Sequence, residues 1–358
     1  MRVLFILPGE GGGGGSHSVV QESHGLMRLG AEVALANTVD TIEAFRWHYP
    51  ELEDGRIPLH ALNAAEDIAP LLDEHDVVVA TTAASANALA RAAKARPKHR
   101  AKLAYYIQDY EPLFRMPGVK EWDEARASYE ALPKALFFAK TDWLRRIVYD
   151  NHGRPVERVK PSIDHAVYRP ALHDREDAVL TVSAMVRPKT PRRGPRRTVR
   201  ALERIAARYG DEVRVVAFGA EPGDYDRIGV RLSDRIEDRG MLRRADVAEL
   251  LRSSDLFLDL SDYQAFGRTG LEAMACGCTP VLPVFGGTDE YARHWENAIL
   301  VDPRSDEAIA AAVDGYMQAG PEVRRRLREN GVRTALDYTI EKAAFSEYQL
   351  FRSLLDRA

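Results

Sequence analysis

Short apolar runs alternate with longer amphipathic stretches along the whole chain, and no other feature constrains the fold so strongly. Runs at 3–7, 33–36, 77–80, 103–107 and 136–139 are short and almost continuously hydrophobic, as expected of parallel strands buried on both faces. Amphipathic stretches such as 18–29 and 85–95 lie between them. The pattern restarts with runs at 179–183, 213–218, 256–260, 279–283 and 299–301, interleaved with helical stretches near 197–209, 245–252 and 267–275. Helices near 306–318, 321–335 and 340–355 close the chain. The expected fold class is therefore α/β, with two doubly wound parallel-sheet domains in tandem. The first is expected over 1–165 and the second over 166–339, with a terminal helix at 340–358 able to pack back on the first. The boundary rests on Pro161, Pro170 and the charged run 173–177, which interrupt the pattern. Such sheets bind ligands outside the carboxyl ends of their strands, at the topological switch point. Two of them facing each other would enclose a cleft whose closure expels water.

Charge and cysteine usage exclude several classes. With 50 Lys plus Arg against 54 Asp plus Glu the net charge is −4, so no nucleic-acid partner is expected. The two cysteines, Cys276 and Cys278, are too close in sequence for an ordinary structural disulfide and too few for a four-ligand zinc site, which suits a reducing cytoplasm. The apolar run at 3–7 ends at Pro8 and is too short for a signal-peptide core or a membrane span. A soluble, cytoplasmic protein is the expectation.

Three segments carry candidate chemistry. Between the first strand and the first helix stands Gly9-Glu10-Gly11-Gly12-Gly13-Gly14-Gly15-Ser16, where backbone N–H groups can approach an anion or a sugar beside the positive end of a helix dipole. No Gly-Lys-Ser/Thr follows, so it is not a Walker A loop, and an undifferentiated glycine run does not specify a dinucleotide. A flexible solvent loop is the plain alternative. Six cationic side chains lie between Arg187 and Arg197, on a proline-stiffened loop at a strand's carboxyl end, which suits a diphosphate; a solvated basic patch is the competing reading. The strongest segment is Ser261-Asp262-Tyr263-Gln264-Ala265-Phe266-Gly267-Arg268-Thr269-Gly270-Leu271-Glu272. Here a strand ends, the chain turns at Phe266-Gly267, and a helix opens with its N–H groups toward an incoming anion. Glu272 falls about one turn into that helix, placed to accept hydrogen bonds from ribose hydroxyls.

Leu271-Glu272-Ala273-Met274-Ala275-Cys276-Gly277, followed by Pro280-Val281 and Gly286-Gly287 with Glu290, resembles glycosyltransferase family 4. Further segments fit in order: Leu29-Gly30-Ala31-Glu32-Val33, Thr141-Asp142-Trp143-Leu144, and Pro161-Ser162-Ile163-Asp164 with Tyr168-Arg169-Pro170. The resemblance implies the GT-B architecture of two Rossmann-like domains, a nucleoside diphosphate-sugar donor held mainly by the C-terminal domain, no metal or other cofactor, and retention of anomeric configuration. Arg187 matches the family's first diphosphate-binding arginine. Arg193 matches its usual lysine, with Arg192 a close contender, and Glu272 matches the second of two acidic residues that bracket the nucleotide-sugar. The donor site so implied comprises Gly14, Gly15, Arg187, Arg192, Arg193, Gly219, Met241, Gln264, Phe266, Gly267, Arg268, Thr269 and Glu272.

Two departures stand out. Gln264 occupies the first acidic position, where an amide can hydrogen-bond a sugar but carries no charge to stabilise a cationic transition state. In Tyr106-Ile107-Gln108-Asp109-Tyr110-Glu111-Pro112, Gln108 stands where many relatives have histidine, and the string is similar to one in rhamnosyltransferases that use dTDP-rhamnose. Asp109 is the candidate for orienting or deprotonating the acceptor, with Gln108, Glu111 and His17 beside it; Asp109 and Glu111 bracing a turn is the alternative. The expected catalytic set is Asp109, Arg187, Arg193 and Gln264. The acceptor is expected to be a glycan or glycosylated small molecule, with peripheral contact at the inner membrane face if it is lipid-linked, and the protein a monomer or homodimer. The competing readings are a nucleotide-sugar epimerase on the same architecture and a non-catalytic sugar-nucleotide-binding subunit.

Overall fold

Strands form at every apolar run singled out above in the computed structural model, which describes residues 1–171 and 179–357. In the first half these are β1 (Arg2–Ile6), β2 (Glu32–Thr38), β3 (Leu59–Leu62), β4 (Val77–Ala80), β5 (Lys102–Ile107), β6 (Leu136–Ala139) and β7 (Glu157–Arg158). They make one seven-stranded sheet in the order β3-β2-β1-β4-β5-β6-β7, parallel throughout. In the second half β8 (Leu180–Met185), β9 (Val213–Phe218), β10 (Ile236–Asp238), β11 (Leu256–Leu258), β12 (Thr279–Pro283) and β13 (Ile299–Val301) make a six-stranded parallel sheet in the order β10-β9-β8-β11-β12-β13. Both orders reverse direction once, between β1 and β4 and between β8 and β11. Those are the switch points, and loops leaving neighbouring strands there diverge and leave room for a ligand.

Central strands such as β4 (Val-Val-Val-Ala) are buried at every residue, because helices cover both faces of each sheet. The three strands without an apolar run, β3, β7 and β10, all lie at sheet edges. An edge strand buries less surface, so it needs less hydrophobicity to stay in place.

Contacts divide the chain into two units, Met1–Ser162 with Tyr338–Ala358, and Ile163–Asp337. The charged run 173–177 lies outside the described residues. The helix Ile340–Asp356 starts where Thr339 accepts a hydrogen bond from Lys342 N–H, and returns to the first unit. Its Phe351, fully buried, packs against Phe5 of β1 and Phe138 of β6, with ring centroids 6.3 and 5.6 Å apart. Arg28 meets Glu341 at 2.9 Å on the surface above.

Beneath this helix lies a buried polar network. Glu22 accepts hydrogen bonds from Tyr106 (3.0 Å) and Ser162 (2.8 Å), and Lys140 stands 3.3 Å from it. Glu347 is fully buried beside them, and burial together with the neighbouring Glu22 pushes its carboxyl well above the usual range. Cys276 and Cys278 are buried as well, and neither forms a disulfide. Among the described residues no helix is long and apolar enough to cross a membrane.

Candidate functional site

In the second unit the cationic loop leaves β8 and the Gln264 loop follows β11, the two strands that flank the switch point. Several contacts clasp these loops together. Asp262 N–H donates to Arg192 O (2.8 Å), and Arg197 donates to Leu260 O (3.1 Å) and to the Asp262 carboxylate (2.6 Å). The Arg192 guanidinium lies 5.4 Å from the centre of the Tyr263 ring, within cation–π range. Arg187 is half-buried on the same loop and its pKa is lowered, first by burial and then by the like charge of Arg193. A thioether, Met185 Sδ at 3.2 Å, is a weak acceptor for such a cation. Two guanidinium groups held close enough to repel each other are suited to an anion.

Gln264 is almost fully buried, and its backbone is tied to the loop that follows β12: Gln264 N–H donates to Phe285 O (3.3 Å), and Gly287 N–H donates to Gln264 O (2.7 Å). The helix Arg268–Ala275 follows, with Gly267 (φ +85°) at its N-cap, a residue that has no side chain to cap the first turn. Tyr291 Oη donates to Gly267 O (2.6 Å) and fixes that turn, while the Phe266 ring meets Tyr291 edge-on at 5.5 Å. Thr269 lies in the helix's first turn. Glu272, on its inner face, is 5% exposed and stands 3.9 Å from Arg268. Burial raises its pKa, and the charges of Arg268 and Arg244 pull it back down. Gly219 follows β9 and donates to Gly240 O (2.7 Å), which brings Gly219 beside the loop carrying Met241, itself 53% exposed.

In the first unit the structure alters one detail of the glycine run. The helix begins at Gly14, so Gly14 and Gly15 form its first turn rather than a loop before it. The preceding glycines are tethered: Asn37 donates to Gly9 O (2.9 Å), and Gly12 N–H donates to Tyr49 Oη (3.3 Å), which also bonds His17 Nδ1 (2.9 Å). Gln108, after β5, packs against Gly15, and its Nε2 is buried without a hydrogen-bond partner. Asp109 accepts from the N–H of Tyr110 (2.8 Å).

Glu111 accepts from Ala83 N–H (2.7 Å) and so caps the helix Ala83–Ala95 from outside. Its pKa is pushed up to about 7 by burial and by Asp109, against the lowering effect of that hydrogen bond. Because the folded-state value lies above the unfolded one, the folded chain holds this proton more tightly, and stability falls as pH rises from about 4.5 through 7. Glu111→Gln keeps the acceptor and removes the charge. It is expected to stabilise the protein by about 1–2 kcal/mol at pH 8.5 and by almost nothing at pH 4.5, read by chemical denaturation at both values.

Two doubly wound parallel-sheet units, with a cationic loop and a glycine-led helix start at the switch point of the second, are the architecture of the GT-B fold. Solved structures agree on the fold: Anabaena Alr3699/HepE in complex with UDP aligns with TM-score 0.79 at 19% identity, covering 99% of this chain and 100% of that one. Sucrose-phosphate synthase from Thermosynechococcus elongatus aligns with TM-score 0.79 at 16% identity, covering both chains in full. Residues 173–334 match the family model described as glycosyl transferases group 1, a stretch that falls within the second unit. The O-antigen biosynthesis protein RfbC of Myxococcus xanthus is 29% identical over 272 residues, 76% of this chain and 20% of RfbC. A D-inositol 3-phosphate glycosyltransferase of Salinispora tropica is 27% identical over 202 residues, 50% of this chain and 41% of that protein. The chain thus spans well under half the length of these curated relatives.

Proposed function

We propose that this protein transfers a sugar from a nucleoside diphosphate donor to a hydroxyl of a glycan or glycosylated acceptor, without a metal ion and with retention at the anomeric carbon. The observation that carries this reading is the clasped pair of loops at the β8/β11 switch point, where Arg187 and Arg193 stand together with Gln264 and the helix start alongside. Breaking the anomeric bond leaves negative charge on the diphosphate. Arg187, Arg193 and Arg192 stabilise it as it develops, with the N–H groups of the turn at 267–270. Glu272 takes the ribose hydroxyls, and Gln264 with the backbone near Phe266 takes the sugar.

In the first unit Gln108 and Asp109 receive the acceptor, Asp109 orienting or deprotonating its hydroxyl. Glu111 supports that turn as a helix cap. The similarity of the Gln108–Pro112 string to rhamnosyltransferases favours dTDP-rhamnose as donor and a cell-surface polysaccharide as product, in line with a relative whose name refers to O-antigen biosynthesis.

Thermal melting against a panel of UDP-, GDP- and dTDP-sugars tests this reading. A true donor at 100 times its dissociation constant should add about 2.7 kcal/mol of stability. The largest response is expected from dTDP-rhamnose. A response confined to UDP- or GDP-sugars removes the rhamnose assignment, and no response to any of them removes the proposal. Product analysis with donor alone distinguishes transfer from epimerisation, which needs no acceptor.

A further inference from the structure

The geometry assigns Asp259 the role of positioning residue for Gln264, turning position 264 into an uncharged hydrogen-bond acceptor toward the donor sugar. This inference rests on the donor-site reading above and adds to it a residue that the sequence motifs did not single out. Asp259 follows β11, and its backbone N–H donates to Val281 O (2.9 Å), so the main chain there is held to β12. One carboxylate oxygen, Oδ1, accepts from Ser261 N–H (3.1 Å) and Ser261 Oγ (2.5 Å). The other, Oδ2, accepts a short hydrogen bond from Gln264 Nε2. Gln264 Nε2 also donates to Ser261 Oγ (3.2 Å), which closes a ring of three side chains.

The donor and acceptor inventory then decides what Gln264 can offer. An amide nitrogen has two hydrogens, and both are committed, one to Asp259 and one to Ser261. A carboxylate accepts only, so the amide cannot turn over and present its oxygen to Asp259. The remaining hydrogen-bonding atom of the side chain is the carbonyl Oε1. It can accept from a sugar hydroxyl, but it neither donates nor supplies charge.

The same ring explains why a carboxylate is absent at this point. Glutamate at 264 would set two carboxylates in hydrogen-bonding contact in a nearly closed site, an arrangement that like charges strongly disfavour. The neutral residue is therefore coupled to Asp259 and is not an isolated change.

Two experiments test this. The first is a cycle of Gln264→Glu, Asp259→Asn and the double variant, read by thermal melting without ligand. Gln264→Glu is expected to lower the melting temperature by several degrees. Adding Asp259→Asn should restore most of the loss, because the amide introduced at 259 then donates to the carboxylate introduced at 264. Independent, additive effects of the two substitutions overturn the pairing. The second compares ligands with Asp259→Asn alone, whose side chain loses the charge that fixes the amide. Its dissociation constant for the nucleotide-sugar is expected to rise about tenfold, while binding of the nucleoside diphosphate without sugar stays within twofold. Equal weakening of both ligands, or of neither, overturns the positioning role. A coupled melting cycle in a protein that binds no nucleotide-sugar would instead count against the proposed function and leave the Asp259–Gln264 pairing intact.

Discussion

Arg187→Ala is expected to reduce turnover by about 10²–10³ while leaving the ligand-free protein as stable as before, or slightly more so. Both halves of this expectation come from the same geometry. Arg187 is half-buried, its pKa is depressed by burial and by Arg193, and its Nε meets a thioether sulfur at 3.2 Å. Without a ligand this arrangement is electrostatically costly, and an alanine relieves the repulsion. When a diphosphate is bound, and more so when charge builds on the leaving oxygen, the two guanidinium groups become the main source of compensation. The measurements are kcat with a saturating acceptor, the melting temperature of the free protein, and its increase on adding the nucleoside diphosphate. A large loss of free-state stability together with an intact ligand response would make Arg187 a structural residue and remove it from the donor site.

Gly286→Ala should have the largest effect on the fold near the site. Gly286 has φ +101° and pairs with Gln264 in an isolated parallel bridge. A Cβ built there would lie 2.1 Å from the carbonyl oxygen of Gln264 and 2.8 Å from its nitrogen. Those neighbours are backbone, so no rotamer change removes the overlap. The two segments must separate, which breaks the Gly287 N–H to Gln264 O hydrogen bond and displaces Gln264. Left-handed strain and overpacking together are expected to destabilise the second unit by about 3–5 kcal/mol, measured by chemical denaturation. Gly277→Ala is the matched control. It has φ +78° with no atom within 4 Å of the new Cβ, and should cost only about 1–2 kcal/mol of backbone strain. Equal losses in the two variants would show that conformation, not the close approach to Gln264, dominates at 286.

Much of the architecture is legible in the chain itself. A strand covered on both faces is apolar over most of its length, so β1, β4, β6, β8, β9 and β12 show in the sequence within a residue or two of their ends, despite a polar residue such as Arg214 in β9. The position of the two loops is legible for a related reason, since the cationic segment directly follows the apolar run of β8 and the glycine run directly follows that of β1. Leu59–Leu62, Glu157–Arg158 and Ile236–Asp238 are different. Their sequences carry no strand signal, because an edge strand is specified by hydrogen bonds from one neighbour and not by its own burial. The start of the first helix is hidden too, because Gly14 and Gly15 have poor helix propensity, and the packing of Gly15 beside the Gln108 side chain shows only in the fold. Glu111 could be read as an acidic residue near an acceptor site. Only the fold shows that it accepts the Ala83 N–H from a helix 28 positions away in sequence.

The order of the elements, the presence of two parallel sheets and the charged groups available after each strand were determined by the sequence alone, because hydrophobic burial imposes a period on neighbouring residues that survives without knowledge of the fold. The tertiary structure decided which segments complete the sheet edges, where the terminal helix Ile340–Asp356 lodges, and what Gln264 can do. Each of these depends on atoms brought together from distant or non-periodic positions. A returning helix is chosen by the surface that receives Phe351, and an amide is oriented by the carboxylate that holds it. Such pairings leave no periodic trace in a chain, since either partner alone is compatible with many others.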